Sequence, residues 1–145
     1  MIDCSHLTEK EMIDRLSQLR FLRIEIRNLE RKLRRLEQGV EHRKKLIGKL
    51  MDDGESWEDI TRFVEPIFET YQSTKRCVYE YLEEYHSLTQ FIHDIPDSRM
   101  RLILTERYLN GLTWLDVAFS IGEYDEQYPR RLHNQFIAEY VRRHQ

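Results

Sequence analysis

Apolar residues recur in alternating steps of three and four along the first third of the chain, at Leu19, Leu22, Ile26, Leu29, Leu33, Leu36 and Val40. That spacing gathers them on one stripe of a helix, whereas a strand would scatter them over both faces. Ile47 and Leu50 continue the register after Arg43 interrupts it. A helix carrying such a seam over more than three heptads cannot bury it alone, so a partner surface is required. Thr8 through Glu11 opens the helix with a capping-box pattern, and Asp52-Asp53-Gly54 closes it. Gly39 and Gly48 weaken its far end by roughly 1 kcal/mol each relative to Ala.

A second arm follows. Ser56-Trp57-Glu58-Asp59 reads as another capping box opening a short helical corner, and Pro66 suits the first turn of a second long helix. Phe68, Tyr71, Val78, Leu82, Tyr85 and Ile92 keep the same rhythm, with Lys75 and Thr89 filling the intervening seam positions, until Pro96 stops the helix. Residues 1–50 hold 13 Lys and Arg against 8 Asp and Glu, residues 51–96 hold 3 against 11, and residues 97–145 hold 7 against 7. A basic first arm and an acidic second arm attract each other if the chain folds back on itself. An antiparallel hairpin is therefore expected. A parallel homodimer through Leu22, Ile26, Leu29, Leu33 and Leu36 competes with it. In that register Glu25 faces the partner's Glu30 while Lys32 faces Glu37, so charge pairing does not decide. Both arrangements hold together if hairpins pair into a bundle, and a homo-oligomer is expected.

The C-terminal third carries a different pattern. Asn110-Gly111 supplies a left-handed stop to one helix, and Thr113 with Asp116 caps the next. Val117, Ala118 and Ile121 form its apolar face. Gly122 gives the permissive backbone for a turn into a third helix, on which Leu132, Phe136 and Tyr140 sit four apart as the inward face. Two helices joined by such a turn, with a third closing the core, are the helix-turn-helix pattern. The expected fold is all-α: a long antiparallel helical hairpin over residues 1–95, then a three-helix helix-turn-helix domain over residues 96–145.

The run Ile95, Asp97, Arg101, Ile103-Leu104, Arg107-Tyr108, Gly111, Thr113-Trp114, Val117-Ala118, Gly122, Tyr124 and Arg131-Leu132-His133 resembles small bacteriophage and prophage proteins whose C-terminal domain is similar to region 4 of sigma-70 factors. The resemblance covers roughly the last third of the chain. It implies a late-transcription regulator in the cytoplasm of a bacterial host, with double-stranded DNA as partner and RNA polymerase as a further candidate. The family's usual Gly-Tyr-Ser turn is one residue longer here, as Gly122-Glu123-Tyr124-Asp125, with Asp125 in the capping place of Ser. Pro129 stands where a β-branched core residue is expected.

On the third helix Asp125, Glu126, Gln127, Arg130, Arg131 and Asn134 are expected to face outward. Arg pairs with guanine, Gln and Asn pair with adenine, and all of them hold phosphate. The DNA-reading residues are therefore Gln127, Arg130, Arg131 and Asn134, with Arg107 and Arg99 available for flanking phosphates. The bland alternative is a solvated helix face on a coiled-coil adaptor protein, in which Arg130 and Arg131 only balance Asp125 and Glu126. Trp114 and the series Tyr71, Tyr79, Tyr81 and Tyr85 read as packing residues, because they keep helical spacing. His86 and His93 lack the further ligands a metal site needs. No nucleophile–base pair or phosphate loop stands out, so neither an enzyme nor a cofactor is expected. Cys4 and Cys77 are isolated and read as reduced thiols. No apolar run is long enough to span a bilayer. The echo of Gly111-x-Thr-Trp-x-Asp-Val117 in Gly54-x-Ser-Trp-x-Asp-Ile60 follows from helix-start chemistry without a duplication.

Overall fold

Thr8 begins the helical structure as its sequence predicts. Its side chain accepts a hydrogen bond from the Glu11 amide, and the Glu11 carboxylate accepts one from the Thr8 amide. The computed structural model of the chain describes residues 6–145, all-α, with no strand among them. Cys4 lies outside the described residues. Helix α1 (Glu9–Ser17) passes through Gln18, which keeps right-handed helical backbone angles, into α2 (Leu19–Asp52). The Ser17 hydroxyl donates to the Ile13 carbonyl at 2.7 Å, a back-bond of the kind that bends helices. The first arm is therefore a bent helix.

Asp52 ends α2, and the Glu55 amide donates to the Leu50 carbonyl in the turn that follows. Ser56 then accepts from the Asp59 amide and opens α3 (Trp57–His93). Here the structure departs from expectation, because α3 is one helix without a separate corner and Pro66 lies inside it. Proline lacks the amide that would bond the Arg62 carbonyl, a cost of about 3 kcal/mol in a helix interior. The segment before it is nonetheless held by packing, with Ile60 and Val64 both buried.

The chain divides into two compact units, one of Glu25–Leu82 and one that joins the chain up to Ile24 with Glu83–Gln145. In the first, α2 and α3 run antiparallel. The Arg43 guanidinium lies 4.4 Å from the Phe63 ring centre, and a Cβ on Gly39 would come within 2.7 Å of Ile67 Cδ1. Four residues back along α2 thus correspond to four forward along α3. The register continues to Glu25, whose charge acts on Tyr81. Ile26, Val40, Ile60, Val64 and Val78 are buried here, while Leu29, Leu33 and Leu36 are half-buried. Full burial of such side chains stabilises by about 1.5–3 kcal/mol each.

In the second unit the ends of both arms share a core with the C-terminal helices. Arg15 of α1 forms a two-point ion pair with Glu84 of α3, at 2.8 and 3.0 Å, and its hydrogen bonds hold the Glu84 carboxyl below the usual range. Met12, Leu16, Leu19, Leu22, Leu88 and Ile92 are buried, and α1 packs against the last helix. After Pro96, Asp97 caps α4 (Ser98–Leu104) by accepting from the Arg99 amide. The chain then widens into a π-helical turn, Thr105–Leu109, closed by a bond from the Asn110 amide to the Thr105 carbonyl. Gly111 (φ 68°) reverses the direction against Arg20, whose Nη1 and Cδ lie 2.7 and 2.8 Å from where a Cβ would sit. Thr113 caps α5 (Trp114–Ser120), and Gly122 (φ 80°) makes the turn toward α6 (Gln127–Arg143).

Candidate nucleic-acid interface

Asp125 and Pro129 set how α6 begins. The Asp125 carboxylate accepts from the Gln127 amide at 3.0 Å, so it does the capping for which the sequence suits it. Pro129 lies in the first turn, where its missing amide removes no helical bond, and its ring is fully buried. Helix α6 therefore starts at Gln127 and is not displaced by the proline.

The inward face of α6 differs from the one its sequence suggests. Pro129, His133, Ile137 and Val141 are buried, in steps of four. Leu132, Phe136 and Tyr140 are only half-buried, on a flank where Phe136 and Tyr140 meet Phe91 of α3. The inward face is rotated by one residue because a histidine belongs to the core. The His133 Nε2 lies 2.5 Å from the Tyr108 hydroxyl, and its Nδ1 lies 2.9 Å from Asn134 Oδ1. With both ring nitrogens matched, burial carries no unsatisfied polar atom. Burial pushes the His133 pKa down from 6.5, with the nearby Arg107 charge adding to the effect, and it pushes the Tyr108 phenol up to about 12. A neutral, uncharged pair sits at the centre of the module.

This rotation sorts the six candidate DNA contacts. Gln127, Arg131 and Asn134 are exposed, at i, i+4 and i+7 along one side of α6. Arg130 is half-buried and lies 3.9 Å from Glu126, one turn earlier. Arg107 is turned inward: its guanidinium donates to the Leu112 carbonyl at 2.9 Å and lies 4.6 Å from the Trp114 ring centre. It locks the loop between the π-turn and α5, so its guanidinium is engaged within the module. Trp114 in turn meets His133 edge-on at 4.9 Å, as a packing residue would.

Arg99 has the opposite fate. From the first turn of α4 it donates to the Tyr128 hydroxyl at 2.7 Å, with its guanidinium 6.0 Å from the ring centre. The Arg131 guanidinium lies 5.8 Å from the same ring. Tyr128 thus gathers two cations from helices 29 and three residues away. Among the described residues no carboxylate forms an ion pair with either. Of the acidic residues around the turn, Asp125 caps the helix, Glu126 lies beside Arg130 and Glu123 is exposed. The module's balanced charge therefore includes two guanidiniums gathered at Tyr128, beside the exposed side of α6. Tyr128 was absent from the residues singled out by sequence, although its i, i+3 spacing from Arg131 is a visible signal.

The seam expected to carry self-association is divided as well. Leu22 and Ile26 are buried within this single chain, and Leu29, Leu33 and Leu36 keep part of their surface exposed. No described helix is long and apolar enough to cross a membrane. No family model, no curated protein and no solved structure matches the chain.

Proposed function

We propose that the protein is a non-enzymatic, DNA-binding transcriptional regulator of the phage or prophage type, with a C-terminal helix-turn-helix similar to sigma-70 region 4 and duplex DNA as its partner. The observation that carries this reading is the convergence of Arg99 and Arg131 on Tyr128, beside the exposed Gln127 and Asn134. Two guanidiniums without carboxylate partners suit adjacent phosphates, and the polar side chains of α6 suit base edges. Self-association through the half-exposed Leu29, Leu33 and Leu36 would pair two such modules. Fluorescence anisotropy with a mixed-sequence duplex tests the reading. Binding at low salt that weakens steeply as salt rises is expected, and no binding at 50 mM salt refutes it.

A specific observation favours a second reading in which the module contacts protein, with RNA polymerase as the candidate. Leu115 and Phe119 are exposed one turn apart on α5, and the Phe119 ring lies 6.3 Å from that of Tyr124, which is 87% exposed. Such an apolar patch suits a protein surface. Polymerase retention lost on Phe119→Ser, with duplex binding unchanged, would establish it.

A further inference from the structure

Ile26, Leu29, Leu33, Leu36 and Val40 turn one face of α2 toward α3, and the opposite face is left to solvent. Helical spacing puts Arg27, Arg31, Arg34, Arg35, Lys45 and Lys49 on that outer face, and all six are exposed. Gln38 and His42 fill the interval, so no carboxylate interrupts the row. The nearby acids lie to its sides. Glu30, Glu37 and Glu41 share one flank, where Glu41 pairs with Lys44 at 3.3 Å, and Glu25 is on the other, acting on Tyr81. Residues 27–49 hold nine Lys and Arg against three Glu, so the positive excess survives the flanking acids. Among the described residues none of the six cations forms an ion pair, and no ion pair crosses from α2 to α3. The attraction expected between a basic and an acidic arm therefore leaves this row unneutralised within the chain.

The four guanidiniums from Arg27 to Arg35 span about 12 Å of helix axis at about 1.5 Å per residue. Duplex DNA presents one phosphate charge per about 1.7 Å of its own axis, so phosphates outnumber the cations over that length. Residues 27–49 include no Phe, Tyr or Trp on which the bases of a single strand could stack. The other anionic surface to hand is the outer face of α3 in a second copy. There Arg62 and Arg76 interrupt the exposed Glu58, Glu65, Glu69 and Glu80. A regular line of anions matches an unbroken row of cations better than an interrupted line does. We infer that the outer face of α2 binds the phosphate backbone of duplex DNA without regard to base sequence. The row lies wholly within Glu25–Leu82, a different unit from the one that contains α6. It goes beyond the α6 reading and does not depend on it.

The test uses the full chain and fluorescence anisotropy on two unrelated mixed-sequence duplexes across 50–200 mM salt. Arg27→Gln, Arg31→Gln, Arg34→Gln and Arg35→Gln together place good helix formers at exposed positions, and circular dichroism checks that helix content is kept. Each phosphate contact contributes about 0.9 to the slope of log affinity against log salt. The fourfold variant should therefore lose about 3.6 from that slope and bind both duplexes about a hundredfold more weakly at 50 mM salt. Arg27→Gln with Arg31→Gln, expected to lose about half as much slope, replaces it if helix content falls. Changing the same four residues to Lys preserves the charges and should preserve most of the slope. Equal slope and affinity in the folded Gln variant overturn the inference, and so does a Lys variant as weak as the Gln one. Tighter binding of a single strand than of the duplex overturns the duplex assignment. Loss of mass in sedimentation by the Gln variant, with duplex binding unchanged, shows that the row docks on a second copy instead. Arg99→Ala with Arg131→Ala separates the two surfaces. If only that variant loses affinity, the α2 assignment falls and the α6 reading stands; if only the Gln variant does, the reverse holds. If the parent retains no duplex at 50 mM salt, both fall.

Discussion

Replacing Tyr108 with Phe removes one oxygen and leaves the ring in place, so its effect isolates the bond to His133. The His133 Nε2 would then be a buried polar atom with no partner, since His133 is almost completely sealed from water. Leaving such an atom unsatisfied costs about 1–3 kcal/mol. Replacing His133 with Leu in the same chain removes the orphaned atom, while the exposed Asn134 side chain is hydrated. The double variant should therefore be less destabilised than the sum of the two single ones, by about 1 kcal/mol or more. Urea unfolding at pH 7.5 in a Trp57→Phe background measures this, because Trp57 is 65% exposed and its removal leaves Trp114, against His133, as the fluorescent reporter. A cost below about 0.5 kcal/mol for Tyr108→Phe, or strict additivity, would refute the view that this pair is matched within a dry core.

The same pair sets a pH dependence. The folded-state pKa of His133 lies below its unfolded value of 6.5, so its contribution is complete above that pH and is lost as pH falls through the folded value. Chemical unfolding between pH 7.5 and 5 should show a decline that His133→Leu flattens, and an unchanged slope in that variant would contradict this. In the hairpin, Gly48 meets nothing within 4 Å of an added Cβ, so Gly48→Ala should stabilise thermal unfolding by about 0.5–1 kcal/mol. Gly39→Ala should gain less, because its Cβ must displace Ile67 Cδ1. Leu29→Lys with Leu33→Lys places charge on the half-exposed seam, at a cost of several kcal/mol to any assembly that buries it. Sedimentation should report a dimer or larger species for the parent and a monomer for the variant, and a monomeric parent at micromolar concentration would exclude self-association.

Local rules made much of the architecture legible in the sequence. The Thr8, Ser56 and Thr113 caps, the turns at Gly111 and Gly122 and the Leu19–Val40 stripe are where their residue types placed them, because each depends on neighbours within a few positions. Pro66 went against expectation since tertiary packing of Ile60 and Val64 carries the helix through it. The face of α6 was misjudged because histidine counts as polar until its partner is known, and Tyr108 lies 25 residues away. Arg107 and Arg99 looked equivalent as charges. One is turned onto Trp114 and a carbonyl, the other is held at Tyr128, and only the folded loop distinguishes them.

The central claim is that Arg99 and Arg131 form a phosphate-binding pair beside the exposed face of α6. Measuring affinity for one mixed-sequence duplex across 50–200 mM salt, for the parent and for Arg99→Ala with Arg131→Ala, tests it most directly. Each phosphate contact contributes about 0.9 to the slope of log affinity against log salt, so the double variant should bind more weakly and lose about 1.8 from that slope. Equal affinity and equal slope in a folded double variant would contradict the claim.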